Sequence, residues 1–176
     1  VNAYVVWDPA SRASAVFDSG ADAAPLVRFL REQSLTLGKI FLTHTHGDHV
    51  ADLETLVEAT GAPVYCNALE PFPNAQSFEP GAIFPMGALS IETRLTRGHS
   101  PGGTTYVITG LAKPLAVVGD ALFAGSMGGA RSDYQTAIHG IRSAILPLPE
   151  ETVLAPGHGP LTTLAEEKIH NPFFAG

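Results

Sequence analysis

The chain has 176 residues, 45% of them hydrophobic and 15% charged, with a formal charge of −7. That length buries a sizeable core within one domain, expected over 1–176, and the acidic balance offers no basic field to a nucleic-acid backbone. No apolar run approaches the roughly 20 residues of a membrane-spanning helix, so the expected partner is a small molecule, with no nucleic acid and no membrane. Oligomeric state stays open. The lone cysteine, Cys66, excludes an internal disulfide and fits a reducing compartment. With no visible signal peptide, the expected location is cytoplasmic. The chain opens at Val1 in a strand-like run with no initiator Met, which leaves open whether residues upstream were removed.

Residues 3–7 and 13–17 read as paired strands around Asp8-Pro9-Ala10-Ser11, and Asp18-Ser19-Gly20 ends the second. Residues 25–33 have the spacing of a short amphipathic helix, with Leu26, Phe29 and Leu30 on one face and Pro25 near its start. A buried strand over 39–42 ends in Ile40-Phe41-Leu42. Directly after it comes Thr43-His44-Thr45-His46-Gly47-Asp48-His49, the most informative stretch of the chain. It gathers three imidazoles and a carboxylate at a strand end, where α/β folds collect ligands. Residues 50–60 predict a helix, apolar at Val50, Leu53, Leu56 and Val57 and stopped by Gly61. Residues 62–66 form a strand in which Cys66 is a buried, inert thiol.

Residues 67–80 carry Pro71, Pro73 and Pro80 without a period and read as a surface loop, of the kind that walls a substrate cleft. Residues 83–86 and 89–94 pair around Gly87. The turn-rich segment 97–103 holds His99. Strands follow at 106–108 and 115–118, the second delivering Gly119-Asp120-Ala121, and 124–130 is a Gly-rich loop. Residues 136–146 form a helix with Ala137, Ile138, Ile141 and Ile145 on its apolar face. A strand at 152–155 delivers Pro156-Gly157-His158-Gly159-Pro160, and Thr163-Leu164-Ala165-Glu166 is a capping box that opens the last helix. The β-α-β-α order at the start points to a layered α/β fold. His139 and His170 are read as structural or exposed.

One theme recurs along the chain: a strand, a Gly-flanked turn, then a side chain able to ligate a metal. It occurs at His44, His46, Asp48 and His49, at His99, at Asp120 and at His158. Taken singly, His99 or His158 would more often be a structural histidine, and Asp120 a turn residue. Together they supply seven ligands, enough for two divalent cations. Neutral imidazole with carboxylate suits Zn first and Fe or Mn as well, and the absence of thiolates argues against a structural zinc knuckle. Arg131, following the Gly-rich loop, either faces an anionic substrate or lies solvated at the surface.

The motifs His44-x-His46-x-Asp48-His49, single His99, Val118-Gly119-Asp120 and Pro156-Gly157-His158-Gly159-Pro160 resemble those of the metallo-β-lactamase superfamily over essentially the whole chain. Within it, the run Gly119 to Phe123, the tail Gly157 to Thr163 and Asn171-Pro172-Phe173 are similar to the glyoxalase II group, the hydroxyacylglutathione hydrolases. The resemblance implies a four-layer αββα sandwich with metals at one edge. It implies that His44, His46 and His99 hold one metal, that Asp48, His49 and His158 hold the second, and that Asp120 bridges them. Two cations can share a hydroxide of near-neutral pKa, which attacks a thioester or related acyl carbonyl. Asp48 and Asp120 are then the catalytic carboxylates, and Asp18 either supports a ligand histidine or only shapes a turn. Longer glyoxalase II proteins carry a C-terminal helical extension supplying Lys, Arg and Tyr to glutathione. Residues up to Gly176 contain no such segment, so the expectation is a single domain without that extension and a glutathione thioester as only one candidate substrate. The persulfide dioxygenases resemble the chain too, with one iron held here by His44, His99 and Asp120. Lactone hydrolysis is a further reading.

Overall fold

Strand alternation decides the layering. In a computed structural model, which describes residues 1–130 and 133–175, two sheets lie face to face. The first has the order β1 (Tyr4–Trp7), β2 (Ala13–Phe17), β3 (Thr36–Phe41), β4 (Val64–Asn67), β5 (Gln76–Phe78). The second contains β6 (Ile83–Met86), β7 (Leu89–Leu95), β8 (Thr104–Thr109), β9 (Leu115–Gly119), β12 (Val153–Pro156) and β13 (Thr162–Thr163), in the order β13-β12-β9-β8-β7-β6. A small hairpin, β10 (Leu122–Phe123) with β11 (Ser126–Met127), stands apart.

Successive side chains of one strand enter different cores, as a period of two requires. Phe17 and Phe41 point between the sheets, where they meet Tyr106, Ile108, Val117 and Ala155. Their neighbours Val16, Ile40 and Leu42 face outward onto Leu30, Leu53 and Leu56, which belong to helices α1 (Ala24–Glu32) and α2 (Leu53–Thr60). On the second sheet Val107, Ala116, Val118 and Leu154 face outward onto Ala137, Ile141, Ala144 and Leu164. Those come from α3 (Tyr134–Ala144) and α4 (Leu164–His170). Helix, sheet, sheet, helix is the result: the αββα sandwich.

Strands β2, β3 and β4 run parallel to one another. Strand β8 is antiparallel to both β7 and β9, and β12 is parallel to β9, so β7, β9 and β12 share a direction. Parallel strands end at a common edge. That edge is where every proposed ligand lies.

Several segments depart from the sequence expectation, and three bear on the site. Residues 76–78 are a strand inside the stretch read as loop, paired in parallel with β4 and sending Phe78 into the inter-sheet core. Part of the Gly-rich 124–130 stretch forms β11, paired with β10. The second helix begins at Leu53 rather than at 50 because Asp52 is engaged elsewhere. Its backbone N–H donates to Gly20 O, and its carboxylate accepts from Ala23 N at 2.7 Å. Asp133 and Thr163 cap α3 and α4, accepting from Thr136 N and Glu166 N. No described helix is long and apolar enough to cross a membrane.

Candidate metal centre

Five strand ends build the site. Asp18 follows β2, the stretch His44 to His49 follows β3, His99 follows β7, Asp120 follows β9 and His158 follows β12. The structure brings all seven proposed ligands together. Three subsets have ligand atoms mutually within 4.8 Å: His44, His46 and His99; His44, His49 and Asp120; and Asp48, His49 and His158. His44, His49 and Asp120 are buried, while His46 and Asp48 are exposed at the mouth.

Hydrogen bonds behind the rings decide which nitrogens face inward. Thr43 Oγ1 donates to Asp18 Oδ2 at 2.8 Å, so it accepts from His44 Nδ1 at 3.1 Å. His99 Nδ1 donates to Gly129 O at 3.0 Å. His49 Nδ1 meets Asp18 Oδ2 at 2.8 Å. Each contact fixes the proton on Nδ1 and leaves the Nε2 lone pair pointing into the centre. His46 Nδ1 then lies 3.0 Å from His44 Nε2 and 2.9 Å from His99 Nε2. Three nitrogens converge with too few protons to bond one another. A cation satisfies all three.

The second subset makes the same case by another route. His49 Nε2 is fully buried and has no hydrogen-bond partner among the described residues, although Asp120 Oδ1 is 3.3 Å away. Burial works to lower the pKa of His49, but its contacts with Asp120 and Asp18 and their charges outweigh this and push it up to about 9. The pocket thus calls for positive charge at that nitrogen, which a divalent cation supplies in place of a proton. Asp120 is itself pulled the other way. Burial raises it, but the contact with and charge of His49, then His44 and His158, bring it to about 2. Burial dominates at His44, lowering it to about 3, and also lowers His99. Both rings are therefore neutral, with lone pairs free. The donor set fits divalent metal ions.

Asp120 straddles the two subsets. Oδ1 is 3.3 Å from His49 Nε2 and 3.0 Å from His158 Nδ1, while Oδ2 is 3.5 Å from His99 Nε2. Its close fit depends on Gly157, where a Cβ would overlap Asp120 Oδ1. His158 Nε2 reaches Asp48 Oδ2 at 3.0 Å, and Phe123 of the small hairpin packs edge-on against the His158 ring at 5.8 Å. Asp18 has φ of 58°, a strained value for a residue with a Cβ. Its carboxylate accepts from Thr43 N and Thr43 Oγ1, each at 2.8 Å, as well as bonding His49. Asp18 thus bonds His49, one of the proposed ligands.

Beside His99 lies a cleft of about 210 Å³ lined by Arg97, Gly98, Ser100, Pro101 and Asp133. Arg131 falls outside the described residues. His139 and His170 are exposed and away from the cluster, His170 lying 3.6 Å from Glu166 on its own helix. Cys66 is a buried free thiol. Sequence reasoning missed Glu70, Asn2 and Tyr4, which brace the ligand loops from outside. No local pattern marks them.

Residues 1–158 match the metallo-beta-lactamase superfamily. The chain is 32% identical to hydroxyacylglutathione hydrolase GloC of Haemophilus influenzae, over 98% of this chain and 92% of that protein. Among solved structures it is similar to the BLEG-1 B3 metallo-beta-lactamase (TM-score 0.88, 32% identity, 99% of this chain and 94% of that one). It is also similar to ETHE1 from Myxococcus xanthus (0.85, 26%, 97% and 77%) and to TTHA1623 in a di-iron-bound form (0.83, 31%, 98% and 94%). With the αββα sandwich and the His/Asp cluster at its edge, this chain belongs to the metallo-β-lactamase superfamily, whose members are typically metal-dependent hydrolases.

Proposed function

We propose that this protein is a dinuclear metal-dependent hydrolase of a thioester or related acyl bond. The observation that carries the reading is Asp120, whose two oxygens face different ligand subsets. His44, His46 and His99 would hold one cation and Asp48, His49 and His158 the other, with Asp120 shared. Zn is the preferred metal, since imidazole and carboxylate oxygen are its ordinary ligands. Such cations supply Lewis acidity and bring the pKa of water down toward neutrality, so that no side-chain nucleophile is required. The similarity to a hydroxyacylglutathione hydrolase supports an acyl substrate, and the similarity to a di-iron protein supports two metals.

The chain's own residues have separate tasks. Asp18 keeps the proton of His49 on Nδ1 and the ring in register. Asp48, exposed at the mouth, would orient the attacking water. The cleft at Arg97 and His99 receives the substrate, and Arg131 is offered as a contact for an anionic group on it.

The second reading is a mononuclear iron dioxygenase, favoured by the similarity to ETHE1 from Myxococcus xanthus, with His44, His99 and Asp120 as its two-histidine, one-carboxylate set. His158 separates the two. Purified protein is expected to hold two metals per chain and to turn over a glutathione thioester without O₂. His158→Ala is expected to lose that turnover severely. One iron per chain, with O₂ consumed on a glutathione persulfide as readily after His158→Ala as before, refutes the hydrolase.

A further inference from the structure

The segment after β4 contains a carboxylate that the proposed chemistry does not use. Asn67, 2% exposed, donates through Nδ2 to Thr104 Oγ1 at 3.1 Å and accepts from Leu69 N at 3.0 Å. Glu70 N donates back to Asn67 O at 2.9 Å. This tight turn, anchored on the second sheet, fixes where Glu70 stands. Its Oε1 accepts from both Thr45 N and Thr45 Oγ1 at 2.8 Å. Its Oε2 accepts from Gly102 N, also at 2.8 Å. Thr45 lies between His44 and His46, and Gly102 lies three residues beyond His99. The two loops come from different sheets, and one carboxylate fastens them.

The approach is close as well as polar. A Cβ on Gly102 would stand 2.5 Å from Glu70 Cβ and 2.9 Å from Glu70 N. Only glycine lets the 99–103 turn press against Glu70 while its N–H reaches Oε2. The second subset is braced elsewhere. Asn2 donates through Nδ2 to Pro156 O and Gly159 O at 3.0 and 2.8 Å, and Tyr4 Oη donates to Pro156 O at 2.7 Å. Each ligand subset thus has its own clasp, and the clasps share no residue.

We infer that Glu70 is a positioning residue for the His44, His46 and His99 subset, setting the distance between the two loops that carry it. The inference rests on the proposal that this subset holds a cation. A carboxylate is required because all of its partners are donors: three hydrogen bonds, two oxygens, no proton to place. Glutamine has the same shape but turns one oxygen into an N–H donor facing the Gly102 N–H, which opens the clasp. Outer partners of metal ligands typically contribute about 10–100-fold in metal affinity.

The test uses Glu70→Gln and Gly102→Ala in the full chain, stripped of metal and titrated with Zn²⁺ against a competing chelator. Both variants are expected to bind one of two ions about 10–100-fold more weakly, while the other ion keeps its wild-type affinity. His158→Ala is expected to show the mirror pattern, weakening the other ion. In the metal-free proteins, hydrogen exchange at Gly102 N–H is expected to accelerate in Glu70→Gln, with Thr104 N–H, bonded to Thr43 O at 2.9 Å, unchanged. No readout uses turnover, so a failed hydrolase reading shows up separately in the wild-type assay. The inference is overturned if both variants bind two ions with wild-type affinities, or if Glu70→Gln weakens both ions equally. Unaltered exchange at Gly102 N–H also overturns it.

Discussion

Replacing Asp18 by Asn tests the orientation of His49 with little disturbance of the fold. Asn tolerates positive φ, so the backbone at 58° is kept. The amide oxygen can stay where Oδ1 accepts from Thr43 N. The amide nitrogen then replaces Oδ2, which accepts from His49 Nδ1 and Thr43 Oγ1. An N–H donor there drives the imidazole to its other tautomer, with the proton on Nε2. The nitrogen that should carry a lone pair into the centre is then capped. Loss of such an outer partner costs about 10–100-fold in metal affinity, or roughly 1.4–2.7 kcal/mol. The assay is chelator-competition titration of the metal-free protein, with ring nitrogens followed by ¹⁵N NMR. Because His49 belongs to the subset with Asp48 and His158, one ion should weaken and the other remain. Wild-type affinity for both ions, with the His49 proton still on Nδ1, would refute the reasoning.

Asp120→Ala is expected to remove at least one metal and nearly all hydrolytic activity, with circular dichroism showing the fold intact; full metal content and normal turnover would sink the seven-ligand arrangement. Chelation should lower the melting temperature. At free metal of about 1,000 times Kd each bound ion adds about 4 kcal/mol, and a chain of this size shifts about 2–4 °C per kcal/mol, so differential scanning calorimetry should show a fall of roughly 8–16 °C for each ion removed. Asp8 provides a pH test remote from the centre. Its carboxylate accepts from Ser11 Oγ at 2.6 Å, Ala88 N at 3.1 Å and Ala10 N at 3.1 Å, and these bonds hold its pKa below the usual carboxylate value. A folded pKa below the unfolded one gives stability that is present above the ordinary carboxylate range and lost as pH falls through the folded pKa. Urea unfolding of Asp8→Asn should therefore show a deficit at neutral pH that closes in acid; a deficit independent of pH would count against the assignment.

The proposed ligands were legible as a set rather than one by one. Four stand in one heptapeptide after an apolar strand, and Asp120 and His158 sit against glycine at strand ends. The layering was legible for a related reason: alternation in residues such as Ala15-Val16-Phe17 and Tyr106-Val107-Ile108 sends neighbours into different cores. What escaped has no local signature. Strands of two or three residues, such as Gln76–Phe78 or Leu122–Phe123, are too short to show a period. The late start of α2 follows from Asp52 bonding residues 20 and 23, about 30 positions earlier. Glu70 is a lone acid before a proline in a stretch that reads as loop. Its partners at 45 and 102 become visible only once the two sheets are packed.

That packing also holds together the two edges that form the proposed metal centre. The first sheet contributes Asp18, His44, His46, Asp48 and His49, and the second contributes His99, Asp120 and His158. Facing lone pairs on His44, His46 and His99, whose nitrogens converge with too few protons to bond one another, work to separate the two edges where no cation is bound. Opposing that, Phe17, Phe41 and Tyr106 are fully buried between the sheets, with ring centroids 5.0–5.5 Å apart. Each contributes about 1.5–3 kcal/mol of burial. Tyr106 Oη donates to Leu42 O at 2.6 Å, Thr104 N to Thr43 O at 2.9 Å and Asn2 N to Gly157 O at 2.7 Å. All three bonds cross from one sheet to the other within a residue or two of a ligand. An opening of the edge must break them and expose the aromatic layer beneath. The core and the clasps therefore hold the proposed ligands in place, so binding energy need not be spent on ordering the loops.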